Sequence, residues 1–507
     1  MENDIKFRDI FIGIPDGEVE AQNAMFEQLF CDYKNRYEEL MKTSTKFLVI
    51  GSKGSGKTYL ANYIYKQKKG YSKIISGKDF LVEQLIEITN KQSEAGYAYA
   101  FCSWYLYKKI SEMILEKHYR AARWNHFSPY YKLKRFMDTY NDQDNIFKII
   151  HKTVTNGKSK EYGAEGERKR NIKIKDIEDK TDLFVKNSYT TGTVIEKEKK
   201  YFFELLDTFK RLVLEAADKN QELCIIVDDL DELDRTINQD VDGNVTINLI
   251  KAAKEINKEF KEYDRKVKVI LLVRSDIINK LQMLDMNLSK ITKSCGVELY
   301  WLTNTQISPE QHPLMHLVLH KIKTSCPKLK DCSEKELFSA LFPEKIDGKP
   351  PLDFLLDYSM GRPRDIISFL NYVIQYYPDS STFTATELKE VRKFYSSDLY
   401  DELVNQMYYH RKPEYTKDCI SLISGLKKNS FSMEQVKEYY EKNKLLFKNI
   451  QSVEEAMEFL YEMGAIGNVW NSGKNSSWAY RKDSLDSMDM TRKVTIHYGL
   501  RKKFSIS

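Results

Sequence analysis

The chain is poor in several things. Its longest purely apolar runs are of the kind seen at Val269–Val273, "VILLV". A helix that crosses a bilayer needs about 20 apolar residues, so no membrane partner is expected. The seven cysteines, Cys31, Cys102, Cys224, Cys295, Cys326, Cys332 and Cys419, are odd in number and contain no CxxC pair. That excludes a disulfide framework and a zinc or redox centre of the usual spacing. The opening "MENDIKFRD" has no apolar stretch of the signal-peptide type, which makes the cytoplasm the expected compartment. Charge of one sign is lacking too: a net +6 is spread over a chain in which 30% of residues are charged, and it does not demand a polyanionic partner. What remains is enough to build cores, with 42% hydrophobic and 12% aromatic residues. At about 150 residues per domain, 507 residues imply several domains.

The residues that carry chemistry begin with "FLVIGSKGSGKTYL", Phe47–Leu60. Gly51–Thr58 fits G-x-x-x-x-G-K-[ST] at every fixed position. Glycines let backbone N–H groups turn inward around a β-phosphate, Lys57 reaches the β- and γ-phosphates, and Thr58 offers a hydroxyl to Mg²⁺. A buried strand before the loop and a helix after it supply the expected context, because a helix N-terminus favours an anion. The expected loop comprises Gly51, Ser52, Lys53, Gly54, Ser55, Gly56, Lys57 and Thr58, with Tyr59 beside it, and its ligands are ATP and Mg²⁺.

"ELCIIVDDLDELDR", Glu222–Arg235, supplies a second element: an apolar strand ending in two carboxylates. Asp228 is expected to hold the metal and Asp229 to orient a water. Asp231 and Glu232 compete for the second role, Asp231 ranking ahead. Aspartates at strand ends also cap turns. A third element, "KVKVILLVRSDIINKL", is a strand ending in Arg274, Ser275 and Asp276. In P-loop ATPases with an added central strand this strand lies beside the phosphate-loop strand, so Arg274 or Ser275 would sense the γ-phosphate. Arg274 also reads as a cap of the helix that follows.

Strand-length apolar runs at Phe47–Ile50, Ile74–Ile75, Leu223–Val227, Val267–Val273 and Val297–Leu302 alternate with helical periodicity, which predicts a parallel α/β sheet. The stretch between the second and third runs is too long for one crossover and reads as an insertion, mostly helical, at about residues 81–205. Within it "YAYAFCSWYLYKKISEMIL" reads as a packed helix, and Lys158–Lys200 as a mobile or solvated segment whose basic cluster is a weaker nucleic-acid candidate.

The combination resembles the bacterial P-loop ATPases of the STAND and KAP type, close to the AAA+ fold. "VDDLDELDR" is similar to the aspartate-rich motif of KAP proteins, and "GRPRDIISFLN", Gly361–Asn371, looks like their "PR…FLN" helix. KAP proteins carry membrane helices between their nucleotide motifs, where this chain has a polar insertion. In AAA+ and origin-recognition-like relatives the arginine of such a helix reports the γ-phosphate to a lid domain. The matching residue is Arg364, with Arg362 as its neighbour and a structural ion pair as the alternative. The resemblance implies an α/β P-loop NTPase, AAA+/STAND-like, with a segment at 1–44, a core at 45–305, a helical lid at 306–410 and a winged helix at 411–507.

The winged helix rests on three helical patterns followed by "GAIGNVWNSGKNSSWAYRK", two short strands around a turn. DNA would meet its third helix together with Lys474, Arg481, Arg492, Lys493, Arg501, Lys502 and Lys503. That third helix, "SVEEAMEFLYEMG", is acidic, which favours a protein contact over a DNA groove. His312, His316 and His320 recur at helical spacing, but the surrounding pattern is that of a core and not of a metal site. The expected function is a nucleotide-driven switch, a class whose relatives include bacterial phage-defence proteins, with a homo-oligomer or a protein effector as partner. A DNA-dependent motor and a small-acceptor kinase are the competing readings. Arg235 is the candidate finger for a neighbouring subunit.

Overall fold

The structure, a computed structural model, describes residues 5–77, 97–140, 147–155, 158–163, 194–230, 244–303, 307–471, 475–482 and 487–506. Asp231, Glu232, Arg235 and Lys474 lie outside the described residues. The chain forms two compact units. One comprises Glu39–Ile50 and Gln67–Val297; the other comprises Met1–Glu38, Gly51–Lys66 and Glu298–Ser507.

Strands follow the chain as β1 (Leu48–Gly51), β2 (Ser72–Ser76), β3 (Phe147–Thr155), β4 (Lys158–Gly163), β5 (Val194–Tyr201) and β6 (Leu223–Asp228). They continue as β7 (Val267–Arg274), β8 (Gly296–Leu299), β9 (Ser430–Phe431), β10 (Ile466–Trp470), β11 (Asn475–Ser477) and β12 (Lys493–Ile496). The central parallel sheet has the order β2-β6-β7-β1-β8. Ile74 pairs with Ile226, and Ile226 with Ile270, both in parallel register. All six residues of β6 are buried, so an unbroken apolar run is what a strand covered on both faces requires. Each of the five expected strands is present, and β7 lies between the acidic strand β6 and the phosphate-loop strand β1. This architecture fits an α/β P-loop NTPase.

The insertion is only partly helical. Tyr97–Lys117 is a helix, as its periodicity predicts, with Phe101, Leu106, Tyr107 and Ile110 buried. Trp104 and Phe136 pack on Phe209, at 4.6 and 5.1 Å between ring centroids. Of the Lys158–Lys200 segment, the described residues 158–163 and 194–200 belong to β4 and β5, which pair with β3 in an antiparallel sheet of order β4-β3-β5; the remainder lies outside the described residues. The signal for it is local. "TVTNGKS" holds an Asn-Gly pair, which favours a tight hairpin, and the register Thr155 opposite Lys158 closes a two-residue loop around it. High lysine content masked that pattern.

In the other unit the N-terminal segment, the helices between Pro313 and His410, and the C-terminal residues share one apolar core. It runs from Phe7 and Ile12 through Leu319, Leu370 and Leu403 to Val436, Leu460 and Ile496, all buried. Phe7 stacks on Phe383 at 4.4 Å. The C-terminal elements run helix Pro413–Gly425, β9, helix Met433–Lys442, helix Val453–Glu462, then β10 to β12. Their antiparallel sheet has the order β11-β10-β12-β9, with Ile466 opposite Ile496 and Val494 opposite Phe431. The expected hairpin is β10 paired with β11. Among the described residues no helix is long and apolar enough to cross a membrane.

Candidate phosphate-binding site

β1 ends at Gly51 and the helix Lys57–Gln67 starts six residues later, so the glycine loop joins strand to helix as its sequence requires. Gly54 (φ +80°) and Gly56 (φ +96°) hold the left-handed backbone that lets successive N–H groups turn to one side. A Cβ built on Gly56 meets nothing within 4 Å, so the space above it is open. Gly51 is fixed by packing instead: its Cβ would stand 2.3 Å from Ser55 Oγ. Lys57, the first residue of the helix, donates from Nζ to the carbonyls of Gly51 (2.9 Å) and Ser52 (3.1 Å), which keeps the ammonium over the loop. The Ser55 hydroxyl is buried and has no hydrogen-bond partner among the described residues. Left-handed glycines with open space above Gly56, a lysine held over the loop, a helix N-terminus and an orphaned hydroxyl form a donor set suited to a polyphosphate.

The loop is braced from its own unit. Trp301 Nε1 donates to the Ser55 carbonyl (2.8 Å), and its indole stacks on Tyr33 at 4.7 Å. Arg362, the residue that precedes the helix Pro363–Tyr376, donates from Nη1 to the Lys53 carbonyl (3.0 Å). The same guanidinium grips Asp365 with two hydrogen bonds, of 2.9 and 2.7 Å. The Arg364 backbone N–H donates to the Gly54 carbonyl (3.4 Å). Its side chain lies so close that a Cβ on Gly54 would be 3.0 Å from Arg364 Cβ. Arg364 Nε donates to the Pro15 carbonyl (3.1 Å) and Nη1 to Glu402 (3.0 Å). Arg362, ranked second from sequence, therefore contacts the loop as directly as Arg364 does.

Tyr59 turns its ring into a cluster with Phe26 and Phe30, at 4.9 and 5.7 Å. Its hydroxyl lies 3.4 Å from Lys321 Nζ. Lys321 is in turn paired with Glu20, and both side chains are at most 2% exposed. Burial pushes the Lys321 pKa down, offset only in part by Glu20. A second Glu20 oxygen accepts from the Ile14 N–H (2.8 Å), and Asn371 of the "FLN" triplet donates to the Gly13 carbonyl (3.0 Å). The N-terminal segment is thus tied to the phosphate-loop helix and to the helices after Pro313.

The carboxylates expected to complete the chemistry stand on the other unit's strand ends. Asp228 is the last residue of β6 and is buried, and its Oδ1 accepts from the Asp229 N–H (2.8 Å). Asp229 has φ +54°, a left-handed conformation rare outside glycine and tolerated by Asp and Asn. Gly77 accommodates that turn, since a Cβ there would lie 2.3 Å from the Asp229 carbonyl oxygen. Arg274 ends β7 and grips Asp276 through Nε (3.1 Å) and Nη2 (2.6 Å). Arg274 occupies the N-cap position of the helix Ser275–Leu284, but its side chain makes this two-pronged pair in place of a cap bond. Thr58 and Asp228 have the oxygen chemistry to hold Mg²⁺. Among the described residues no group of three or more His, Cys, Asp and Glu is arranged for a metal ion.

His312 caps its helix by accepting from the Leu314 N–H, His316 pairs with Glu334 (2.8 Å) and His320 meets the Gln28 carbonyl. In the C-terminal sheet Arg492 pairs with Asp489 (2.7 Å) and lies 4.2 Å from the Trp470 ring, while Arg501 bonds Ile496 and Thr495. Lys493, Lys502 and Lys503 are exposed. The outer face of Val453–Glu462 presents Glu454, Glu455 and Glu462.

Sequence reasoning missed Glu402, Trp301 and the Glu20–Lys321 pair. Only Trp301 carried a signal, as a bulky aromatic near the end of the apolar run Val297–Leu302. Residues 312–404 match the family described as the FunZ-associated C-terminal helical domain, a span that holds Arg362, Arg364 and Glu402. No curated protein matches the chain. Among solved structures it is similar to the Walker-type ATPase PABY2304 of Pyrococcus abyssi, at 12% identity over 94% of this chain and 95% of that one, with a TM-score of 0.37.

Proposed function

We propose that the protein is a Mg²⁺-dependent ATP hydrolase that works as a nucleotide-driven conformational switch. The observation that carries the reading is the loop itself: Lys57 held over a glycine turn, open above Gly56, at the start of a helix. The loop N–H groups and Lys57 would hold the phosphates, and Thr58 and Asp228 would hold the metal. Bound Mg²⁺ supplies charge neutralisation on the phosphate oxygens. Lys57 contributes a fixed positive charge whose position is set before ligand arrives, so little reorganisation is needed. Asp229, which follows β6 with a left-handed backbone, is the carboxylate that orients the attacking water. Arg364 and Arg274 are the candidate reporters of the terminal phosphate, and the helices after Pro313 act as the lid.

The C-terminal order helix, strand, two helices and a hairpin is that of a winged helix. Its third helix exposes carboxylates, and two of its arginines are already engaged, so its partner is a protein, either an effector or a second copy, and not a DNA groove. The cytoplasm and a place in a signalling assembly such as phage defence complete this reading.

The test is steady-state ATP turnover by wild type, Lys57→Ala and Asp229→Asn, with and without single- and double-stranded DNA. Turnover reduced about 100-fold or more in both variants, with no response to DNA, is expected. Equal turnover in all three proteins overturns the site, and strong stimulation by DNA replaces the switch with a motor.

A further inference from the structure

Three cations, Lys53, Arg362 and Arg364, meet two carboxylates, Asp365 and Glu402, at the edge of the phosphate loop. The two arginines are held differently. Arg362 is 4% exposed and bound to Asp365 by two parallel hydrogen bonds, the strongest geometry a guanidinium offers. Arg364 has a side chain 31% exposed and meets Glu402 through one nitrogen only. Burial pushes the Glu402 pKa up, but Arg362, then Arg364 and Lys53, outweigh it and hold the carboxyl below its ordinary value. Glu402 is therefore a charged, largely buried anion lodged among the cations that flank the loop.

Resting on the nucleotide reading above, we propose that Glu402 is an internal counter-anion which the terminal phosphate of a nucleoside triphosphate displaces from Arg364. The exchange has a physical route. Arg364 lies against the loop, its Cβ, Cδ and Nε 3.0, 3.3 and 3.6 Å from a Cβ built on Gly54, and a phosphate oxygen offers the same charge-assisted bond as a carboxylate. Glu402 does not become a buried unpaired charge when it lets go, because Arg362 Nη1 stands 3.6 Å away as a second partner. A nucleoside diphosphate, with no terminal phosphate to offer, leaves the original pair in place.

Glu402 belongs to the helix Arg392–His410, and that helix is built into the C-terminal elements. Ser396 Oγ accepts from the Lys503 N–H (2.9 Å), and a Cβ on Gly499 would lie 2.4 Å from Leu399. Release of Glu402 is thereby transmitted to the C-terminal sheet through a rigid element.

The experiment is titration calorimetry of the full chain with ATP and with ADP, for wild type, Glu402→Gln, Glu402→Asp, Arg364→Ala and Lys57→Ala. Hydrogen exchange over residues 392–410 is followed in parallel. Glu402→Gln and the shorter Glu402→Asp are expected to bind ATP about tenfold more tightly, with ADP affinity within about twofold, the size of one charge-assisted hydrogen bond. Arg364→Ala combined with Glu402→Gln should lose that gain. Exchange in 392–410 should rise on adding ATP to wild type and be raised in Glu402→Gln without nucleotide. ATP and ADP affinities that shift together, or do not shift, in folded Glu402 variants overturn the proposal. Unchanged nucleotide binding in Lys57→Ala would instead sink the nucleotide site itself.

Discussion

The strand ends of the sheet and the surroundings of the phosphate loop satisfy their charges at different distances along the chain. On the strand ends of the sheet unit, Arg274 pairs with Asp276 and Asp228 with the N–H of Asp229, partners one or two residues apart. Around the phosphate loop, Lys321 pairs with Glu20 301 positions away, Arg362 reaches Lys53 across 309, and Arg364 reaches Glu402 across 38. A local pair survives almost any motion of its neighbours because the chain holds both members. A remote pair exists only while the segments that carry it stay together, so its strength becomes a coupling between those segments. The surroundings of the loop have the wiring of a device that transmits, and the strand ends have that of a rigid bench.

The contrast is sharpest at the buried ion pair. Glu20→Ala strands Lys321 in the core, and a loss of about 3–5 kcal/mol is expected from denaturant unfolding, with the double variant Glu20→Leu, Lys321→Met recovering most of it. A loss under about 1 kcal/mol would show that the remote pairs carry no coupling.

His497 tests the rule from the opposite side, since one of its partners, the Gly499 N–H, is only two residues away. Burial pushes its pKa down to about 3, so the folded protein excludes a proton that the unfolded chain accepts below about 6.5. Stability is unaffected above that pH and is lost as pH falls, by about 1.4 kcal/mol per pH unit until the folded value is reached. Stability curves of wild type and His497→Gln between pH 7 and 4 should show the steeper acid slope only in wild type.

The smallest effect belongs to the strand ends. Asp276→Ala should cost about 2 kcal/mol, less than Glu20→Ala, because Arg274 and Asp276 are 8% and 18% exposed against 2% and 1% for Lys321 and Glu20. A cost matching that of Glu20→Ala would erase the distinction between the strand ends and the loop.

The same distinction explains what was legible in the sequence. The glycine loop, the β6 carboxylates and the alternation of strands and helices are written in contiguous residues, and the sheet places β7 where the pattern put it. The Asn-Gly hairpin of β3 and β4 was also contiguous, but lysines on the strands outweighed it in the reading. Glu402 could not be found that way. It is one acidic residue on a helix with many polar neighbours, and only the packing of helix on loop sets it apart.

Trp301 gives the loop an optical handle. Its indole is 8% exposed, fixed on Tyr33 and bonded to a loop carbonyl, so any ligand that changes the pitch of the loop alters both the ring's stacking and the dipole it senses. Of the chain's five tryptophans it is the one bonded to the glycine turn, and its emission can follow the loop in real time with no label attached.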